Sequence, residues 1–408
     1  MKKTVQILKI SIFMGVLILP SLIWYGVRFL APQAYAKLDY DLGEKTQTQF
    51  PEEFDPKDYT RKLETYYNAN VPFRSKLISL HQKLSGALES VYTGYLRDGI
   101  ARILYGEEAE GFFPPQIIGD IVLLGRHNWL FYAGDDSISY YRGTNLLEEE
   151  QMELNMALMV QLQELCDEKG IQLQYIILPN KELVYSEYMP SYTIANSKRR
   201  TETFVEYVEQ HCGIHIVYPL QELQQAKDRW QTYHQYDTHW NHAGSFIGTQ
   251  ALYKALGIPT TDLSALEVTQ CDATTNDLMI LGGLDASQYP AEYDYAVNYR
   301  PEVTLTDVSG DKQPSGIYCA RSDCGNDKNL VFIGDSFRCF MIDYLVKDFS
   351  NSVITYRETS DNRTDYPDEV IRSIQDADIL VVEAVDRYDS RLYPAIQRLI
   401  QILQSETK

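Results

Sequence analysis

Val331-Phe332-Ile333-Gly334-Asp335-Ser336-Phe337 is the stretch on which the fold turns. An apolar run suited to a buried strand stops at Gly-Asp-Ser, and an amphipathic segment, Phe337 to Phe349, follows at once. Ser336 therefore sits where a strand passes into a helix. A serine at such a junction projects from the carboxyl end of a sheet, beside the first free N–H groups of the helix, which can hold a developing oxyanion. The same residues also suit an ordinary turn with a serine N-cap, so the motif needs a chemical partner elsewhere in the chain.

Outward from this junction, strand and helix signals alternate. Upstream, Gly125 to Tyr132 reads as a hairpin or strand edge, 148–169 as a helix, and 171–178 as a strand ending at Pro179-Asn180-Lys181. A helix over 200–210, a short strand at 214–218 and a helix opening at Pro219 come next. Asn241 is placed to cap a helix over 242–256, and 257–328 reads as an insertion of loops and strands. Beyond Ser336 the pattern gives a helix over 337–349, a strand at 352–356, a helix over 367–375, a strand at 378–383 and a terminal helix over 389–404. Such alternation predicts an α/β fold, a parallel sheet with helices on both faces and its ligands at the carboxyl ends of the strands.

The chain has 408 residues, enough for one large domain or two ordinary ones. A formal charge of −20 argues against nucleic acid, which basic surfaces bind through counterion release. Tyrosine is frequent at 31 residues, and its flat apolar face with a hydroxyl suits sugars, as it also suits ordinary cores. Lys2, Lys3 and Lys9 precede a nearly uncharged apolar stretch from Ile10 to Val27. This predicts a single-pass anchor with the amino terminus in the cytoplasm and the catalytic body outside, at the cell membrane. A cleavable signal is the competing reading, since Ala34-Tyr35-Ala36 has the form of a processing site. The expected division is 1–36 for the anchor or signal, 37–118 for a helical amino-terminal lobe, and 119–408 for the catalytic domain. The six cysteines show no zinc spacing, and in an exported chain Cys319 and Cys324 are near enough to bridge.

Of the seven histidines, His234, His239 and His242 fall close together. In extended backbone, residues two apart point to the same side with Cα atoms about 6.5–7 Å apart, so Asp237 can meet the ring of His239. That contact would fix the tautomer and stabilise the imidazolium while the other ring nitrogen takes a proton from Ser336. The competing readings are a helix-capping Asp237 with a satisfied His239, and a metal site on Asp237, His239 and His242. The second lacks the i, i+4 histidine spacing of a helical zinc pair, so no metal is expected.

The combination resembles the alginate O-acetyltransferase family, SGNH-hydrolase-like proteins of the AlgJ and AlgX type. The residues that carry the resemblance are Val71-Pro72-Phe73-Arg74, Gly125-Arg126-His127-Asn128-Trp129-Leu130-Phe131, Pro179-Asn180-Lys181 with Tyr185, Asp237-Thr238-His239-Trp240 with Gly244, Gly334-Asp335-Ser336-Phe337, and Val382-Glu383 followed by Arg387. The resemblance implies an SGNH/GDSL-like domain with Ser336 as nucleophile, His239 as general base and Asp237 as orienting acid. It further implies contacts to substrate from Trp240, Asn276, Arg387 and Lys181, with Asn276-Asp277-Leu278 standing where the family has Gly-Asp-Leu. No cofactor is implied. The acceptor would be a polysaccharide, and an integral membrane-bound O-acyltransferase would deliver the acetyl group. An esterase using the same triad, and a non-catalytic subunit of polysaccharide assembly, are the alternatives.

Overall fold

The computed structural model describes residues 116–118, 121–190, 194–307, 316–356 and 366–405. The expected anchor at 1–36, Val71 to Arg74 and nearly all of the expected lobe at 37–118 lie outside the described residues. Among the described residues no helix is long and apolar enough to cross a membrane.

Strands β1 (Gln116–Ile118), β2 (Val122–Leu124) and β3 (Leu130–Tyr132) form a small antiparallel sheet, in which Ile118 pairs with Val122. The remaining strands are β4 (Gln172–Leu178), β5 (Ile216–Val217), β6 (Val268–Asp272), β7 (Tyr293–Val297), β8 (Leu305–Asp307), β9 (Tyr318–Ser322), β10 (Asn329–Gly334), β11 (Asn351–Tyr356) and β12 (Ile379–Val385).

The main sheet has the order β5-β4-β12-β10-β11-β9-β8. Its first five strands are parallel, as expected for segments joined by helical crossovers. The last two, β9 and β8, run antiparallel at the edge and come from the stretch read as an insertion. β8 is exposed along its whole length, so no apolar run marks it in the sequence. The other part of the insertion, β6 and β7, forms a separate antiparallel pair.

Alternation along the parallel strands divides their side chains between two cores. Leu330 and Phe332 of β10, with Ile176 and Leu178 of β4, join Leu252, Tyr253 and Leu256 of the helix His242–Leu256. Val331 and Ile333, with Tyr175 and Ile177, meet Met159 and Leu162 of Glu149–Lys169, Phe204 and Val208 of Arg200–Cys212, and Leu399 of Leu392–Gln404. Strands buried on both faces read as continuous apolar runs, which is why β4, β10 and β12 were legible. The helix after Ser336 is shorter than the pattern suggested, Arg338–Leu345, and a 3-10 segment, Asp386–Arg391, precedes the terminal helix. Cys324 carries a free thiol, so it does not bridge to Cys319.

Candidate active site

Ser336 lies immediately beyond β10, and its position is set by what Gly334 and Asp335 do. A Cβ on Gly334 would stand 2.1 Å from Glu383 Oε2, so only glycine lets β10 end this close to the Glu383 carboxylate of β12. That carboxylate accepts the Asp335 N–H at 2.7 Å. Asp335 in turn accepts from the amides of Phe337 (3.0 Å) and Val385 (2.8 Å), tying the turn to the end of β12. The Arg338 N–H bonds to Asp335 O and the Cys339 N–H to Ser336 O. The amides of Phe337 and Arg338, which the sequence offered as oxyanion donors, are thus engaged within the turn.

Asp237 and His239 sit on a closed loop that leads into the helix His242–Leu256. Backbone bonds from Asn241 N to Thr232 O (3.1 Å) and from His234 N to His239 O (3.2 Å) close it. Gly244 is needed here, since a Cβ would lie 2.0 Å from Thr232 O. Asn241 caps the helix, its side chain accepting from Gly244 N at 3.0 Å.

Within the loop, Asp237 Oδ1 accepts from His239 N (3.0 Å) and lies 2.7 Å from His239 Nδ1. His239 Nε2 is 2.7 Å from Ser336 Oγ, across 97 residues of chain. With Asp237 at Nδ1 the neutral ring carries its proton there, leaving Nε2 to accept from the serine hydroxyl. Burial acts to raise the Asp237 carboxyl, but the hydrogen bond and charge of His239, with the amides of Asp277 and His239, outweigh it and hold the group well below the usual carboxylate range. The His239 ring also packs on Phe337 and Phe340, with centroids 4.8 and 5.8 Å away.

Asp277 is the residue the sequence reading overlooked. Its N–H donates to Asp237 Oδ2 (2.9 Å), while its own carboxylate takes the Thr238 N–H (2.7 Å) and Thr238 Oγ1 (2.6 Å). Burial and the nearby Asp237 charge raise its carboxyl. Glu292 performs a similar office, accepting from the amides of Gln235 and Tyr236. Only the Gly-Asp-Leu correspondence at Asn276-Asp277-Leu278 hinted at the first, and nothing local hinted at the second.

The side chains expected to meet substrate are distributed differently. Asn276 opens the short helix Asp277–Gly282 and is half-buried beside the acid. Trp240 is fully buried and donates its indole N–H to Phe337 O at 3.0 Å, so it supports the turn that follows Ser336. Arg387 is buried over the rings of Tyr132, Phe337 and Tyr388 and donates to Asn180 Oδ1. Lys181, 2% exposed, directs its ammonium to backbone carbonyls of the acid–base loop. The stacks and hydrogen bonds that bury Trp240, Arg387 and Lys181 leave none of them facing solvent.

The candidate metal set also differs from the expected one. Ligand atoms of Asp237, His239 and Asp277 lie within 4.8 Å of one another, whereas His242 begins its helix with Nδ1 on Asp294 at 2.7 Å. The Asp237–His239 contact and the Asp277–Thr238 bonds already engage these atoms, which fits a proton relay better than a cation cage.

A parallel sheet covered on both faces, with a serine, a histidine and an aspartate converging at the carboxyl end of β10, defines a serine-hydrolase-like α/β domain. The family described as "SGNH hydrolase-like domain, acetyltransferase AlgX" matches residues 122–375, and the chain belongs to it. A curated relative, "Probable alginate O-acetylase AlgJ" of Pseudomonas putida, is 30% identical over 137 residues, which are 33% of this chain and 34% of that protein. The chain thus spans about a third of the length of that relative. Among solved structures, the O-acetyltransferase domain of Pseudomonas putida AlgJ is 17% identical with a TM-score of 0.42, covering 71% of this chain and 99% of that one. Pseudomonas aeruginosa AlgX is 15% identical with a TM-score of 0.43, covering 68% and 66%. The domain is acetyltransferase-like, of the AlgJ and AlgX type.

Proposed function

We propose that the protein is an extracytoplasmic O-acetyltransferase that carries an acetyl group on Ser336 and passes it to a hydroxyl of an exopolysaccharide or cell-surface glycan. The observation that carries this reading is the unbroken relay from Asp237 through His239 to Ser336, with both links at 2.7 Å.

In the first half-reaction Ser336 Oγ attacks the acetyl carbonyl as its proton moves to His239 Nε2, and Asp237 stabilises the imidazolium. The Ser336 N–H donates to the oxyanion. Collapse expels the donor's leaving group, which takes the proton from Nε2, and leaves acetyl-Ser336. In the second half a sugar hydroxyl gives its proton to Nε2 and attacks the ester, and the proton returns to Ser336 Oγ. A membrane-bound O-acyltransferase is the proposed donor, and the apolar stretch Ile10–Val27 supports a site of action at the membrane.

The test is to supply the purified protein with an activated acetyl ester, with and without oligosaccharide. The expected result is acetylated sugar and a burst of leaving group equal to one acetyl per chain, both abolished in Ser336→Ala. Acetate release indifferent to added sugar, with no acetylated sugar formed, would instead identify an esterase.

A further inference from the structure

Lys181 occupies an unusual position for a cation. It follows β4 at the carboxyl end of the sheet, opens the short helix Lys181–Val184, and is 2% exposed. Its ammonium lies 2.7 Å from Asp237 O, 3.0 Å from His234 O and 3.3 Å from Gln235 O. An ammonium has three donors, and here each finds a carbonyl of one loop. The charge also sits 5.3 Å from the Phe131 ring centroid and 5.8 Å from that of Trp129.

On the loop's other side Glu292 takes the amides of Gln235 and Tyr236, and Asp277 takes that of Thr238. The peptide groups that present Asp237 and His239 are therefore gripped from both ends of their dipoles, carbonyls by a cation and amides by carboxylates. Four carboxylates face Lys181 from the elements around it: Glu292, Asp277, Asp237 and Glu182.

We propose that Lys181 is the positioning residue of the acyl-transfer site: its ammonium sets the loop from His234 to His239 against the rigid end of β4, and so fixes the base and its acid in line with Ser336. The role rests on the triad reading above, and it differs from substrate contact because the side chain is sealed beneath the loop. Holding reacting groups in line is worth a great deal, since displacing them by about 1 Å costs roughly 100-fold in rate.

The grip depends on the charge. Burial lowers the Lys181 ammonium to about 8, with the four carboxylates opposing that shift. Above that pH the neutral amine keeps two donors for three carbonyls, and the loop loosens. Of the carboxylates that face it, Asp237 is held low by its bond to His239, while burial raises Asp277 and Glu182.

The experiment follows hydrolysis of 4-nitrophenyl acetate from pH 6 to 10. Wild-type kcat is expected to fall with a midpoint near 8, and the same limb is expected in His242→Gln, which removes a second group raised into the alkaline range. Lys181→Met is expected to lose roughly 100-fold in kcat with little change in KM, and to lose the alkaline limb. A wild-type kcat flat from pH 7 to 10, or a folded Lys181→Met with wild-type kcat, overturns the assignment. Should Lys181→Met not fold, the wild-type and His242→Gln profiles decide alone. Ser336→Ala in the same assay separates the two ideas: if it stays active the triad reading fails, and if it is inert while Lys181→Met is unaffected, only the positioning role fails.

Discussion

Asp237 illustrates how much one carboxylate is asked to do. Both of its oxygens are committed, one to the backbone and ring of His239 and the other to the Asp277 amide. Asp237→Asn keeps the shape but offers Nδ1 an amide in place of a charge, and kcat is expected to drop about 10⁴-fold with the circular dichroism spectrum unchanged. The same carboxyl has a stability signature. Its folded-state pKa is depressed, so its contribution is present above the ordinary carboxylate value of 3.8 and is lost as pH falls below it. Urea midpoints taken between pH 5 and 2 should therefore decline less steeply in Asp237→Asn than in the wild type. The meeting of Ser336, His239 and Asp237 was legible because Gly-Asp-Ser and Asp-x-His, each ambiguous by itself, occur together in one α/β chain. Lys181, Asp277 and Glu292 act on the loop from distant segments, and no local spacing records that.

At the level of elements, the close approach of β10 and β12 around Gly334 invites a direct test. Gly334→Ala places a methyl against the Glu383 carboxylate, which also holds the Asp335 amide. Overpacking of this kind costs about 1–3 kcal/mol, so Tm is expected to fall, and Ser336 should react more slowly with a sulfonyl fluoride as its turn shifts. A second junction, between the helix His242–Leu256, β7 and the helix Arg338–Leu345, is governed by His242. Burial opposes its charged form, but Asp294 and Asp343 outweigh that and raise its pKa to about 9. The stabilisation is full below the ordinary value of 6.5 and disappears as pH rises through about 9. Thermal unfolding of the wild type should weaken across that window, and His242→Gln should flatten the curve. These junctions explain what the sequence showed and hid: apolar strands with helices between them announce themselves, whereas β6 and β8 are mostly exposed and β7 and β9 bury only Asp294, Tyr295 and Ala320.

For the molecule as a whole, the net charge of −20 bears on the acceptor. An anionic uronate polymer meets like charge over long range, a repulsion that salt screens within about 10 Å at 0.1 M. With neutral and uronate oligomers of equal length, the neutral acceptor is expected to show the lower KM in dilute buffer, the two converging as salt is added. A uronate preference that grows as salt is removed would point to a cationic binding surface instead. Composition gave this global charge directly, and alternation gave the layered fold. The sequence could not show that the stretch 257–328, read as a mere insertion, completes both the sheet and the acid–base loop.

That last feature limits how such a domain can be recombined. Since Asp277 and Glu292 belong to 257–328 and brace the turn bearing Asp237 and His239, the two regions form one heritable unit. A chimera that imports a foreign loop for new specificity must bring matching carboxylates with it, or it will keep Ser336 in place with His239 out of line.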